Sequence, residues 1–203
     1  MSNFKNYKIG IFGDLILDRY KYFRAIKLSP EGPAPIVKPL SIYDLPGGAG
    51  NVAMSLSNLG CETELNYAFS ESQESILENI TQTLIQNKVI LNKIKSFTKE
   101  PVPQKIRYYV DNKQFMREDL ESLEHDNGCI HKNFSIDDQV KKYDLVVISD
   151  YKKGFFNVDS LQCFIQSCIK FQIPLFIDTK IKVSNAIYNA YCVKINKVEF
   201  NNL

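Results

Sequence analysis

The sequence predicts an α/β fold with a mainly parallel sheet. Three observations carry this prediction. Short apolar runs alternate with stretches of helical period along most of the chain, which is the order typical of a parallel sheet. One run, Leu145–Ser149, is apolar almost throughout, as expected of a strand covered on both faces. Two other stretches, at 18–43 and 101–118, are rich in β-forming residues and carry no helical period.

The first half of the chain supplies three strands and two helices of the predicted core. An apolar stripe of Ile76, Ile80 and Leu84 indicates a helix. Gly60 follows another predicted helix. Glycine suits the left-handed backbone that often follows a helix, so Gly60 indicates where this helix ends. We therefore expect strands at Lys8–Phe12, Glu64–Ala68 and Val89–Ile94, and helices at Asn51–Leu59 and Ser72–Asn87.

The second half of the chain continues the alternation. Leu161, Ile165 and Cys168 recur at intervals of three to four residues, which indicates a helix. The flanking apolar runs are short enough to be strands. We therefore expect strands at Leu145–Ser149, Pro174–Asp178 and Tyr191–Ile195, and a helix at Asp159–Phe171.

The stretches 18–43 and 101–118 are predicted to form hairpin-type strands outside the parallel sheet, and we call them the lid. Asp111-Asn112-Lys113 has the composition of a turn between two strands of the second stretch. A β-unit this small leaves its edges exposed unless a partner covers them. The lid contains all four arginines of a chain with 21 lysines, which favours a function for Arg19, Arg24, Arg107 and Arg117.

The composition is that of an ordinary globular protein. The chain has 203 residues, is 44% hydrophobic and 24% charged, and has a formal net charge of +2, which argues against disorder and against bulk binding of nucleic acid or a membrane surface. Its five cysteines are scattered without a CxxC pair, so free thiols in a reducing compartment are expected. No signal peptide or apolar run of about 18 residues is visible, and we expect a cytoplasmic protein.

The clearest local motif is the segment Gly47–Ala53, which reads GGAGNVA and precedes a predicted helix. Glycines at this position let backbone N–H groups approach a ligand, and the helix N-terminus favours negative or hydroxyl-rich groups. An ordinary glycine-rich turn into a helix explains the same residues, so this motif alone leaves both interpretations open.

The segment GGAGNVA, followed by six residues and then Gly60, resembles the first signature of the PfkB (ribokinase-like) carbohydrate kinases. Further segments are similar to one branch of that family, the D-glycero-β-D-manno-heptose 7-phosphate kinase domain of enzymes that make ADP-heptose for lipopolysaccharide. These segments are Gly13–Tyr20, Ser29–Val37, Gln104–Arg107 with Asn112–Arg117, and Ser149–Gly154. The resemblance covers nearly the whole chain. It implies a three-layer ribokinase-like core, with residues 1–203 as the N-terminal part of one kinase domain and the lid inserted.

The resemblance also implies roles for individual residues on the sugar side. A carboxylate can accept hydrogen bonds from two sugar hydroxyls, and Asp18 matches the family's sugar-binding aspartate. Asp14 is open, since it either binds substrate or accepts backbone N–H bonds in its turn. Either lid cation can hold the 7-phosphate. The substrate-binding residues implied are Asp14, Asp18, Gly47, Gly48, Asn51, Lys105 and Arg117.

On the nucleotide side, Asn196-Lys197-Val198-Glu199 matches the family's NxxE motif. In the family the glutamate acts through Mg²⁺ and its waters near the transferring phosphates, so the resemblance implies ATP and Mg²⁺ as cofactors. Lys180 follows a predicted strand and stands where the branch has a lysine, and its charge is expected to face the phosphates.

The family's catalytic base lies in a Gly-Ala-Gly-Asp run that does not occur in these residues. We therefore assign no catalytic residue, and expect a core incomplete at its C-terminal side and a chain inactive alone. A separate C-terminal polypeptide is a possible partner, and lid-to-lid pairing into a homodimer is expected. Two alternatives remain open: a kinase of another sugar in the family, and a non-catalytic module for sugar-phosphate binding or dimerisation.

Overall fold

A computed structural model describes residues 7–95, 102–121, 134–181 and 190–197. Its elements follow the predicted order closely. The strands are β1 (Lys8–Gly13), β2 (Leu15–Leu28), β3 (Pro35–Gly48), β4 (Glu62–Phe69), β5 (Ile90–Lys95), β6 (Gln104–Val110), β7 (Lys113–Leu120), β8 (Leu145–Asp150), β9 (Leu175–Thr179) and β10 (Cys192–Val193). The helices are α1 (Ala49–Asn58), α2 (Glu74–Gln86), α3 (Ile136–Val140) and α4 (Val158–Lys170).

Within the described residues, six strands form the central sheet in the order β10-β9-β8-β1-β4-β5. Every pairing in this sheet is parallel, as the alternation of strands and helices predicts. The chain proceeds from β1 through β4 to β5 on one side, and then returns to place β8 against the other side of β1. The connection therefore changes direction between β1 and β8.

Helices cover both faces of this sheet, which gives three layers. Neighbouring residues of β1 show this directly, because successive side chains of a strand point to opposite faces. Ile11 packs in the cluster that contains Ile80 of α2, whereas Phe12 packs in the cluster that contains Phe164 of α4, with 4.8 Å between the ring centres. The fully buried residues on both sides explain why the core strands are apolar almost throughout.

The two lid stretches form a second, four-stranded sheet in the order β3-β2-β6-β7. β2 and β3 are antiparallel, β2 and β6 are parallel, and β6 and β7 form an antiparallel hairpin. The hairpin turns at Asp111 and Asn112, whose φ angles of 47° and 63° match a two-residue turn with left-handed backbone at both positions. The second sheet begins one residue after β1 ends.

The structure differs from the predicted elements at three places. β2 and β3 extend beyond the stretch 18–43, because the apolar residues Leu15 to Leu17 are buried and continue the strand into the core. β10 has only two residues, instead of the predicted Tyr191–Ile195. The five-residue helix α3 was not predicted. In the described part of the chain, every helix is too short or too polar to cross a membrane.

Candidate active site

The carboxyl ends of β1 and β8 lie side by side at the point where the chain changes direction. In open parallel sheets, ligands bind in the crevice at such a point. β1 is followed by Asp14, and β8 ends with Asp150, so two acidic residues lie at the bottom of this crevice. The second sheet starts from the same place, because Asp14 is the one residue between β1 and β2.

Asp14 holds the turn that follows β8. Its carboxylate accepts hydrogen bonds from the backbone N–H groups of Tyr151 (2.8 Å), Lys153 (3.1 Å) and Phe155 (3.0 Å). Left-handed backbone at Lys152 and Gly154 directs these alternate N–H groups inward, as in an anion-binding nest. Asp14 is only 5% exposed. The geometry thus shows the turn-holding role considered for Asp14, and its contact with substrate stays a prediction.

Asp150 is buried beside Asp14 and ties β8 to β9. Its carboxylate accepts hydrogen bonds from the Thr179 hydroxyl (2.5 Å) and from the backbone N–H groups of Lys152 and Lys180. Burial, and secondarily the nearby charge of Asp150, raises the pKa of Asp14 to about 7, although the backbone N–H bonds oppose this rise. Burial also raises the pKa of Asp150.

The segment Gly47–Gly50, which we call the glycine loop, leads from the end of β3 into α1 and contacts Asp14. Gly48 precedes α1 with a φ of 56°, and the N–H of Ala49 donates to the backbone oxygen of Asp14 at 2.9 Å. A Cβ on Gly48 would lie 2.4 Å from that same oxygen, so glycine is required for the close approach. Asn51 lies exposed in the first turn of α1, where its side chain is accessible.

Asp18 lies at the base of β2, beside Gly47. A Cβ on Gly47 would lie 2.2 Å from Oδ2 of Asp18, so the missing side chain makes room for this carboxylate. Oδ1 of Asp18 accepts a hydrogen bond from Nη1 of Arg107 at 2.7 Å. The two predicted residues, Asp18 and Gly47, are therefore neighbours, and the carboxylate remains partly exposed.

Lys105 and the turn after β8 connect the second sheet to the core. Lys105 stands beside Asp18 in the register of β2 and β6. The ammonium of Lys105 lies 5.1 Å from the ring centre of Tyr151, within the range of a cation–π contact. Lys153 in the same turn forms an ion pair with Glu121, just after β7. The turn held by Asp14 thus contacts the second sheet at two points.

Arg117 lies further out on the same face of the second sheet. It stands opposite Arg107 in the pairing of β6 with β7, so both side chains leave the same face. Its guanidinium is paired with Asp119 and is 52% exposed. This face therefore combines the cations of Lys105, Arg107 and Arg117 with two carboxylates.

The predicted nucleotide-side residues lie at the ends of β9 and β10. Lys180 follows β9, and its N–H donates to the backbone oxygen of Asp150 at 3.2 Å. Asn196 follows β10 and is exposed. Since β9 is two strands and β10 three strands from β1, the ends of these strands lie about 10 Å and about 14 Å along the sheet edge from β1. Glu199 lies outside the described residues.

Two residues of the quoted motif segments, Arg107 and Asp150, gain a candidate role only from the structure. Arg107 was marked by the scarcity of arginine, but its contact with Asp18 spans 89 positions in the sequence. Asp150 ends an apolar strand, which is a signal for the sheet edge, yet the sequence does not show that it lies beside Asp14. In the described ranges, no three His, Cys, Asp or Glu side chains converge to hold a metal ion.

Comparison with known proteins finds relatives by sequence and by fold. No family model matches the sequence. A bifunctional protein HldE from Coxiella burnetii is 34% identical over 184 residues, which is 89% of this chain and 37% of that protein. The chain thus spans little more than a third of the length of that curated relative.

Solved structures share the fold at low sequence identity. A carbohydrate kinase from Agrobacterium tumefaciens has a TM-score of 0.67 and 17% identity, covering 92% of this chain and 60% of that one. An Arabidopsis thaliana ribokinase, complexed with ribose and ATP, has a TM-score of 0.66 and 14% identity, covering 97% and 62%. The chain is therefore similar in sequence to one part of the bifunctional HldE proteins, and it has the ribokinase-like fold of these carbohydrate kinases.

Proposed function

We propose that this chain is the sugar-binding part of a kinase that transfers a phosphoryl group from ATP to the C1 hydroxyl of a heptose 7-phosphate. In this proposal it serves the synthesis of ADP-heptose for lipopolysaccharide. The observation that supports the proposal most directly is that Asp18 lies beside Gly47, the first residue of the glycine loop. A partly exposed carboxylate there is able to accept hydrogen bonds from sugar hydroxyls.

The cations of the second sheet support a substrate that already carries a phosphate. Lys105, Arg107 and Arg117 share the face that begins at Asp18. Guanidinium groups match phosphate oxygens with paired, charge-assisted hydrogen bonds. We assign the 7-phosphate to the cations of this face, among which Lys105 and Arg117 are the residues that the resemblance implies, and we assign the sugar hydroxyls to Asp18 nearer the core.

The nucleotide enters this proposal at the ends of β9 and β10, through Lys180 and Asn196. In this proposal Mg²⁺ is linked to Glu199, as the resemblance implies, and Glu199 lies outside the described ranges. When bound, the metal would neutralise charge on the transferring phosphates. The chain's own contribution is to position the acceptor hydroxyl, since phosphoryl transfer depends mainly on positioning and charge stabilisation.

Titration calorimetry on the full chain tests the sugar specificity. We expect heptose 7-phosphate to bind at least about tenfold more tightly than the same heptose without phosphate, because a charge-assisted contact is lost. Asp18→Asn is expected to weaken binding of both sugars. Asp144→Asn is the matched control, since Asp144 lies at the opposite edge of the sheet and accepts a bond from the Lys8 N–H.

A folded chain that binds neither sugar would refute the proposal, and a preference for another sugar phosphate would change the substrate. Sugar-dependent release of ADP separates a kinase from a binding module. The assay is run with the chain alone and with the complementary part of an HldE relative. Sugar binding without turnover in either mixture would favour the non-catalytic alternative.

We also propose that the second sheet pairs with the same sheet of a second chain. Its two edge strands, β3 and β7, carry exposed apolar side chains, including Ile42 (62%) and Phe115 (65%). Apolar groups and unpaired strand edges of this kind favour association.

Light scattering at tens of micromolar is expected to give the mass of a dimer. Phe115→Ser is expected to shift the protein toward the monomer, because it removes an apolar contact from the second sheet. Ile85→Ser is the control, since Ile85 is equally exposed (60%) but lies on α2. A monomeric wild-type chain, or equal effects of the two substitutions, would contradict the pairing.

A further inference from the structure

We propose that Arg107 determines specificity by withholding Asp18 from sugars that lack a phosphate. In the structure Arg107 binds Asp18, and in this proposal the phosphate of the substrate replaces Asp18 as the partner of Arg107. Asp18 then becomes free to accept the sugar hydroxyls. This inference rests on the proposed function, and it adds a coupling between the two ends of the substrate.

The contact between the two side chains is close and partly shielded from water. Nη1 of Arg107 lies 2.7 Å from Oδ1 of Asp18, and each side chain is 21% exposed. Shielding strengthens such a pair relative to one in bulk water. The pair therefore occupies one of the two oxygens that the proposed function assigns to the sugar.

Arg107 is held in a position from which it can change partner. Its guanidinium lies 5.1 Å from the ring centre of Tyr20, a cation–π contact that does not use its N–H donors. A guanidinium has five donors in a fixed fork, whereas the contact with Asp18 uses a single nitrogen. Donors thus remain available for a phosphate while the stacking on Tyr20 keeps the group in place.

The neighbouring arginine makes an anion favourable at this place. Arg107 and Arg117 stand directly opposite on β6 and β7, and like charges in such a pair repel. In the described structure each is balanced by one carboxylate, Asp18 for Arg107 and Asp119 for Arg117. A dianionic phosphate between the two guanidinium groups would replace the charge of Asp18. A neutral sugar offers no such replacement and must compete with Arg107 for Asp18.

The test is the ratio of the two dissociation constants, for heptose and for heptose 7-phosphate, measured by calorimetry on the full chain. With Arg107→Gln we expect binding of heptose 7-phosphate to weaken about tenfold and binding of heptose to tighten severalfold. Arg117→Gln is the matched control on the same face. It is expected to weaken only the phosphorylated sugar, because Arg117 does not contact Asp18.

Arg107→Lys is the second variant, should the glutamine variant fold poorly. It keeps the charge but loses the fork, so the ratio is expected to fall less than with glutamine. A merely structural role of Arg107 would weaken both sugars, and a simple phosphate anchor would leave heptose binding unchanged. Either result overturns the proposed exchange of Asp18 for phosphate at Arg107, while the proposed function stands. A folded wild-type chain that binds neither sugar would instead overturn the proposed function.

Discussion

Replacing Gly48 by alanine is expected to lower the free energy of unfolding by about 3 kcal/mol, within the range known for strained backbone combined with overpacking. Gly48 has a φ of 56°, and a Cβ there would lie 2.4 Å from the backbone oxygen of Asp14. That oxygen cannot move freely, because it accepts the Ala49 N–H and the next strand begins at Leu15. The overlap is with backbone, so no side-chain rotation relieves it.

Urea unfolding measures this effect, with Gly32→Ala as the matched control. An added Cβ on Gly32 meets nothing within 4 Å, and its backbone needs no left-handed geometry. We therefore expect the control to change the free energy of unfolding by less than about 1 kcal/mol. Equal losses for the two variants would show that the glycine loop is not held against β1 as described.

Asp14→Asn is expected to destabilise the protein more at pH 5 than at pH 8, with a difference of about 2 kcal/mol. Burial, and secondarily the charge of Asp150, raises the pKa of Asp14 from 3.8 to about 7. Between pH 3.8 and about 7, Asp14 therefore keeps its proton in the folded state and releases it in the unfolded state. As the pH rises toward 7, the ionised carboxylate favours the unfolded state, so the wild type loses stability.

The asparagine variant has no proton to release at this position, so its stability does not fall for this reason. Urea unfolding of wild type and variant at the two pH values gives the difference directly. The control is Glu31→Gln, an exposed acid in the turn between β2 and β3.

A pH-independent effect of Asp14→Asn would show that Asp14 is ionised throughout and that the N–H groups of the turn outweigh its burial. The same variants also report on the turn itself. Loss of the bonds to Tyr151 and Lys153 is expected to loosen the contacts of this turn with the second sheet.

The sequence by itself determined most of the strands and helices, although not the short helix α3 or the length of β10, and it indicated that β8 is covered on both faces. Apolar periodicity reports which side of a segment is buried, and this is enough for elements such as β8 and α4. The run of glycines at Gly47, Gly48 and Gly50 likewise predicted the loop that leads into α1. The family motifs identified Asp18 and Gly47, which the structure places side by side.

Only the tertiary structure decided which strands are neighbours and which side chains meet. Periodicity carries no information on partners, so the position of β8 beside β1 was not predictable from it. The bond between Tyr151 and Asp14 spans 137 positions, and the bond between Arg107 and Asp18 spans 89. Contacts of this kind form only when the sheet order brings distant segments together. The role of Asp14 in its turn and the partner of Asp18 therefore depended on the folded chain.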